Sequence, residues 1–86
     1  MFIILTYDVH RKRVAKTLKV CRRYLRHVQK SVFDGEITQA KLKKLKSELS
    51  DIVDTSYDSI QIYVFDSVRF AHRESLGQVA VIDGLL

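Results

Sequence analysis

The sequence predicts an α+β sandwich, in which two helices cover one face of an antiparallel sheet. Three observations predict it: a first segment that is apolar at both alternating positions, two later segments whose apolar residues recur every three or four positions, and a segment near residue 60 that alternates in period two. A period near 3.6 is typical of helices and a period of two is typical of strands. Strands and helices in this order are typical of small α+β domains.

The first predicted strand is Phe2–Asp8, which is apolar on both alternating faces before its end. Such a strand is covered on both sides, so we expect it in the middle of the sheet. It ends on Asp8, and Lys/Arg-rich sequence follows. Two interpretations of Asp8 are open: a metal-binding or catalytic carboxylate, or the N-cap of a helix that begins near Arg11.

A block of positive charge follows this strand. Nine of the fifteen Lys and Arg residues lie between Asp8 and Asp34, with no acid among them: Arg11, Lys12, Arg13, Lys16, Lys19, Arg22, Arg23, Arg26 and Lys30. The apolar residues of the block recur in steps of 4, 3, 4 and 3: Val14, Leu18, Cys21, Leu25 and Val28. This spacing predicts a helix with one buried stripe that includes Cys21. A helix face that carries only cations is more typical of contact with phosphates than a face of mixed charge.

The middle of the chain predicts a second strand and a second helix. Residues 28–33 alternate in period two, and the dipeptide of Asp34 and Gly35 suits a tight hairpin turn. Residues 36–38 then either return as a short strand or form only a turn. Thr38 is the predicted N-cap of the second helix. The apolar stripe of this helix is Leu42, Leu45, Leu49, Ile52 and Val53.

The last long strand is predicted at Ser59–Phe65, with Ile60, Ile62 and Val64 facing the helices. Residues 79–82 predict a short strand in the tail, which is an exposed edge unless another chain pairs with it. The whole order predicts a ferredoxin-like sandwich, βαββαβ plus a C-terminal strand, as a single domain over residues 1–86. We expect residues 78–86 to contact a second copy or a partner.

The sheet face away from the helices also needs a cover, because it is predicted to carry Phe2, Ile4, Tyr63 and Phe65. A chain of 86 residues buries only about 60–65% of its extended surface, so a lone copy would be marginally stable. We therefore expect a homodimer that packs sheet to sheet.

Composition narrows the class of protein further. The net charge of +5 favours an anionic partner. The sequence contains no run of about 20 apolar residues, so no membrane span is predicted. No basic leader precedes the first strand, and the single Cys21 cannot form an internal disulfide. These features predict a cytoplasmic location.

Four segments of the chain resemble the small CRISPR-associated Cas-two family. They are the YDV end of the first strand at residues 7–9, the RKRVAK helix start at residues 11–16, the segment VQKSVFDGE at residues 28–36, and the strand DSIQIY at residues 58–63. The resemblance covers about residues 2–66, in the family's order. The most specific combination is the segment from Ser31 to Phe33 together with the Tyr-Asp pair.

This resemblance implies a homodimer whose two copies of Asp8 face each other and hold a divalent metal, usually Mg²⁺, with Mn²⁺ as a substitute. It implies a metal-dependent endonuclease for RNA or duplex DNA, and also a scaffold that joins integrase subunits during spacer acquisition in antiviral defence. The family has an arginine where this chain has His27. The implied nucleic-acid contacts are Tyr7, Arg11, Arg13, Lys16, Arg26, His27, Ser31 and Phe33.

Three functions remain open at this point. They are a nuclease that acts through Asp8, a non-catalytic DNA-binding scaffold, and a ribonuclease toxin of the same fold. One carboxylate per chain is a small ligand set, but Mg²⁺ keeps several waters and is often held by one or two carboxylates plus phosphate. A two-fold axis would supply a second Asp8. The residues favour nucleic-acid binding and do not distinguish RNA from DNA.

Overall fold

The computed structural model describes residues 1–65, which form four strands and two helices. In chain order these are β1 (Phe2–Asp8), α1 (Arg11–Arg22), β2 (Arg26–Gln29), β3 (Val32–Glu36), α2 (Gln39–Ser50) and β4 (Ser59–Phe65). This confirms the predicted βαββαβ order. The predicted tail strand lies outside the described residues. Neither helix of the described part is long and apolar enough to cross a membrane.

The sheet has the order β2-β3-β1-β4, and every neighbouring pair of strands is antiparallel. β1 is therefore an inner strand, as its two apolar faces predict. In its pairing with β4, Phe2 lies opposite Phe65 and Ile4 lies opposite Tyr63. These four side chains share the sheet face away from the helices, as predicted.

The core lies between the helices and the other face of the sheet. Ile3, Leu5 and Phe33 come from the strands and Cys21 and Leu45 from the helices, and each is 0% exposed. The prediction that Cys21 is a core residue is confirmed. Burial raises the pKa of its thiol to about 11, so the sulfur stays protonated and unreactive at neutral pH.

Helix α1 begins at Arg11, as predicted, but its N-cap and its end differ from the prediction. Its N-cap is His10, whose Nδ1 accepts a hydrogen bond from the Lys12 amide at 3.2 Å. The capping interpretation of Asp8 is therefore wrong. The helix ends at Arg22, and Leu25 reaches the core from the turn that follows, where its amide donates to a helix carbonyl. The apolar stripe continues past the helix because this turn packs against the same core.

The hairpin turn lies at Lys30 and Ser31, and its prediction at Asp34 and Gly35 is wrong. β2 and β3 flank this turn. Lys30 has a φ of 33°, a left-handed conformation that tight turns need and that a side chain adopts at a steric cost. Asp34 and Gly35 instead lie inside β3.

Gly35 is explained by close packing. Its φ is 156°, and a Cβ at this position would lie 3.4 Å from Leu25 Cδ2. Any other residue would be strained there. This glycine therefore lets Leu25 lie directly over β3, which a local turn signal does not reveal.

Helix α2 and strand β4 follow their predictions except at the end of the helix. Thr38 is the N-cap of α2, and its Oγ1 accepts a hydrogen bond from the Lys41 amide at 3.2 Å. The helix ends at Ser50, so Ile52 and Val53 of the predicted stripe lie beyond it.

On strand β4, Ile60 and Ile62 pack against the core. Val64 lies on the same face of β4, as predicted, but is 55% exposed because it lines an open groove beside α2.

Candidate metal and nucleic-acid site

Asp8 is the last residue of β1, and its side chain is exposed. Within residues 1–65, no group hydrogen-bonds to its carboxylate or forms an ion pair with it. Asp34, Glu48 and Asp58, in contrast, each accept hydrogen bonds from an arginine side chain. An exposed carboxylate with both oxygens unengaged is a suitable ligand for a hard cation such as Mg²⁺.

A groove of about 410 Å³ opens beside Asp8, between α1 and the β2–β3 hairpin. We call it the hairpin groove. Its lining comes from α1, the hairpin and the end of β1: Val14, Leu18, His27, Lys30, Ser31, Tyr7 and Asp8. The Tyr7 amide donates to the Ser31 carbonyl at 3.1 Å. This bond holds the hairpin turn against the end of the central strand, so Ser31 and Asp8 line the same groove.

His27 lies at the start of the hairpin and is exposed. Its ring stacks on the buried Phe33 ring at 4.5 Å between centroids and 14° between planes. Its Nε2 lies 2.5 Å from the Lys30 carbonyl oxygen. The imidazole therefore stabilises the turn and also forms part of the groove.

Arg13 is engaged by Asp58. The Arg13 Nε lies 2.5 Å from Oδ2 of Asp58, and a terminal nitrogen lies 3.0 Å from Oδ1. Asp58 also accepts hydrogen bonds from the amides of His10 and Asp54, each at 2.9 Å. Because the Arg13 guanidinium donates to it, the pKa of the Asp58 carboxyl is held well below its usual range. The structure places Arg13 in this ion pair, and its predicted contact with nucleic acid stays a prediction.

Sequence reasoning missed the pairing of Asp58 with Arg13. It named Asp58 only as the first residue of the segment DSIQIY, and the two residues are 45 positions apart. The Asp58 side chain is nevertheless 0% exposed and the Arg13 side chain only 18%. No pattern in one sequence joins two such distant residues, so this contact was not visible before the structure.

Several predicted cations do remain accessible. Arg26 donates to Asp34 at 3.1 and 3.2 Å, yet its side chain is 71% exposed, which leaves the guanidinium open to a second anion. Arg11 and Lys16 are exposed. Neither forms an ion pair with any acid of the described part of the chain. The solvent face of α1 therefore keeps its positive charge.

Tyr7 and Phe33 belong to the core, and their predicted contacts with nucleic acid stay predictions. Tyr7 is 8% exposed and Phe33 is 0% exposed. Their rings lie 6.2 Å apart on the helix-facing side of the sheet. Burial raises the pKa of the Tyr7 hydroxyl, so this group is neutral in ordinary buffers.

The metal-ligand set of this chain is small. The part that the structure describes contains no group of three or more His, Cys, Asp and Glu side chains able to hold a metal ion. Asp8 fits a site of the Mg²⁺ type only when waters, phosphate or a second protein copy supply the other ligands.

The fold and the site together define a class: small ferredoxin-like proteins with a free carboxylate at the end of the central strand and a cationic helix beside it. The chain belongs to the CRISPR-associated Cas2 (Cas-two) family, whose model, CRISPR associated protein Cas2, matches residues 1–73. It is similar to the CRISPR-associated endoribonuclease Cas2 of Thermotoga maritima, with 45% identity over 86 residues that cover 100% of this chain and 99% of that protein. The resemblance found in the sequence is confirmed.

Solved structures agree on the fold. The crystal structure of Streptococcus pyogenes Cas2 at pH 6.5 matches with a TM-score of 0.76 and 35% identity, over 90% of this chain and 100% of that one. A second Cas2 crystal structure matches with a TM-score of 0.81 and 36% identity, over 91% of this chain and 88% of that one. The predicted ferredoxin-like fold class is thereby confirmed.

Proposed function

We propose that the chain is a CRISPR-associated, metal-dependent endonuclease that hydrolyses phosphodiester bonds of RNA or duplex DNA during spacer acquisition in antiviral defence. The observation that carries the proposal is the exposed carboxylate of Asp8, which no group in residues 1–65 engages. It lies at the end of the central strand, next to a helix rich in cations. Relatives in Thermotoga maritima and Dictyoglomus turgidum named endoribonucleases support the nuclease class.

Asp8 would hold Mg²⁺, with Mn²⁺ as a substitute, and a second copy of the chain would contribute its own Asp8. Two bare carboxylates brought together repel each other, so a cation between them favours the paired arrangement. When bound, the metal supplies Lewis-acid stabilisation of the charge that develops at the phosphate.

The chain's other residues bind and orient the nucleic acid. Arg11 and Lys16 are exposed on α1, and their charges attract the phosphate backbone without regard to sequence. Arg26 adds a guanidinium at the hairpin. These cations bring a phosphodiester to the end of β1, where Asp8 lies.

A non-catalytic scaffold is the second candidate. The observation that favours it is that the free cations lie on α1, so phosphate binding does not depend on Asp8. In this function a homodimer holds duplex DNA and bridges the subunits of a CRISPR-associated integrase.

Replacing Asp8 by Asn separates the two candidates. The D8N variant keeps the shape of the side chain and loses the charge that Mg²⁺ needs, so we expect Mg²⁺-dependent cleavage to fall by about 100-fold or more while nucleic-acid binding is kept. Cleavage of single-stranded RNA and duplex DNA is measured with Mg²⁺, with Mn²⁺ and with EDTA. Asp51→Asn is the matched control, because Asp51 is another exposed acid, at the C-cap of α2.

Equal cleavage by D8N and the wild type would contradict the nuclease proposal. Wild-type protein that cleaves neither substrate with either metal, yet binds duplex DNA and supports integration, would favour the scaffold.

A further inference from the structure

The hairpin groove contains a flat, partly open aromatic surface beside Asp8, and the cations and Asp8 discussed so far do not account for it. We propose that this groove is a subsite for one unpaired nucleobase, with the outer face of the His27 ring as its stacking surface. The proposal rests on the proposed function only in taking nucleic acid as the substrate, and it does not require cleavage.

The surroundings of His27 leave one face of its ring open. The inner face stacks on Phe33 at 4.5 Å. Nε2 lies 2.5 Å from the Lys30 carbonyl, and Nδ1 lies 3.4 Å from a terminal nitrogen of Arg22. His27 is still exposed, so the exposure belongs to the outer face and the remaining edge of the ring.

The same contacts hold the ring in place. The Lys30 carbonyl only accepts hydrogen bonds, so Nε2 donates to it, and the Arg22 guanidinium lies beside Nδ1. Backed by Phe33, the imidazole is a fixed aromatic plane. Such a plane stacks with any base, because every base has a π face.

The groove around this plane suits a base better than a phosphate. Val14, Leu18 and Tyr7 give it apolar walls, and its volume of about 410 Å³ falls in the range of small-ligand sites, about 300–1,000 Å³. Only one cation among the described residues lines it. Lys30 lines the groove, and Arg22 reaches its His27 wall.

This arrangement selects unpaired bases. In a duplex both faces of a base are covered by its neighbours, so a base that stacks on His27 must leave the helix or come from a single strand. Lys30 and Arg22 match the phosphates on either side of that base. Asp8 lines the same groove, so a base held there brings its own phosphodiester to the end of β1.

The test is a binding measurement without divalent metal, so that it is independent of cleavage. Single-stranded RNA oligonucleotides carry 2-aminopurine at one position each, and its fluorescence is quenched when the base stacks on a ring. We expect quenching on binding to the wild type and its loss with His27→Ala. Affinity for the single strand should fall by about 5- to 150-fold, from about 1–3 kcal/mol per stacked base, and affinity for duplex DNA should not change.

His27→Tyr is the matched variant, because it keeps an aromatic plane and loses both ring nitrogens. It should restore the quenching and most of the affinity. If His27→Ala weakens single strand and duplex equally, or if quenching is the same with and without the ring, the subsite is overturned. Oligonucleotides with an abasic site need no protein variant: removal of one base should weaken binding to the wild type, and equal binding of abasic and intact strands would also overturn it.

The result of this stacking test can be told apart from the result of the cleavage test of the proposed function. A protein that shows the quenching but never cleaves RNA or DNA with Mg²⁺ keeps the base subsite and loses the nuclease. A protein that cleaves with no dependence on His27 keeps the nuclease and loses the subsite.

Discussion

Asp58 accepts hydrogen bonds from one guanidinium and two backbone amides while its side chain is fully covered. This set of donors stabilises the ionised carboxylate, which is why the pKa of Asp58 lies below its usual range. Removing the charge leaves the mostly buried Arg13 side chain without its acid. Such a loss is destabilising even where a surface ion pair of the same type would contribute little.

We expect Asp58→Asn to lower the midpoint of thermal unfolding by several degrees at neutral pH. An Asp in an unfolded chain titrates near about 3.9. Since the pKa is lower in the folded protein, the unfolded state binds more protons below that value, and the ion pair's contribution is lost as the pH falls below about 4. Thermal unfolding of both proteins from about pH 7 down to about pH 2 should therefore show the two midpoints converge in acid.

Asp51→Asn is the control for this experiment, because Asp51 is exposed and its carboxylate has no partner in residues 1–65. Its midpoint should follow the wild type at every pH. A constant gap between D58N and the wild type down to the lowest pH would contradict the ionic origin of the effect.

For single residues, the sequence showed which side chains carry a charge but not which of them form ion pairs with each other. Asp8 was singled out because it ends an apolar strand, and the structure leaves it exposed. The resemblance named Tyr7 and Phe33 as nucleic-acid contacts, and both face the helices because strand positions alternate. The period-two pattern already places Tyr7 on the same face as Ile3 and Leu5. No pattern in the sequence indicated the pairing of Arg13 with Asp58.

Helix α1 is the element most directly tied to nucleic-acid binding. Its cations divide into two groups: Arg13 and Arg23 form ion pairs with Asp58 and Glu48, while the rest of the solvent face has no acid beside it among the described residues. The second group replaces counterions on a phosphate backbone without first breaking an ion pair.

We expect simultaneous replacement of Arg11, Lys16 and Lys19 by Ala to flatten the dependence of log K on log salt. Each lost contact should reduce the slope by about 0.9 for duplex DNA and about 0.7 for a single strand. The measurement is a fluorescence titration with duplex DNA at about four salt concentrations. The control replaces three α2 cations, Lys41, Lys43 and Lys46. If the α2 variant changes the slope and the α1 variant does not, the nucleic acid lies on the other helix.

The predictions of helices and strands were correct where the pattern within a single segment determines its structure. Thr38 caps α2 because its hydroxyl meets an amide three residues on, a local rule. The predicted position of the hairpin turn was wrong because Asp34 and Gly35, a dipeptide typical of turns, are used for packing inside a strand. Gly35 has a φ of 156° inside β3, and a Cβ there would lie against Leu25, so this glycine serves the strand and the turn lies at Lys30. No local rule reveals that Leu25 lies there.

For the whole molecule, the sheet face away from the helices is the feature that predicts a second copy. Phe2 and Phe65 lie in contact on it, with ring centroids 6.2 Å apart, and Tyr63 is on the same face. All three are only partly buried within one chain. Burying such rings against a second copy would add to stability in proportion to the apolar area covered.

We expect light scattering to give about twice the chain mass of 10.0 kDa. Phe65→Glu should shift the protein toward one chain, because it places a charge on that apolar face. Val64→Glu is the matched control: the neighbouring side chain points to the opposite face and is 55% exposed. A wild-type mass of a single chain at micromolar concentration would remove the second Asp8 and, with it, the shared metal.

For the whole molecule, the sequence predicted the fold correctly, whereas the homodimer stays a prediction. The order of elements and the central place of β1 follow from periodicity, which each segment carries by itself. Contact between two copies depends on the shape of a surface built from several segments, so the pattern within one segment does not predict it.

The ion pair between Arg13 and Asp58 also has a kinetic consequence. The pair joins residues 45 positions apart. Because closing such a long loop costs conformational entropy, we expect the pair to form only after β4 has docked on β1. A contact that forms this late contributes little to the folding transition state and fully to the native state. Its loss should therefore accelerate unfolding and leave the refolding rate almost unchanged, which makes this pair a determinant of how long the native chain resists opening.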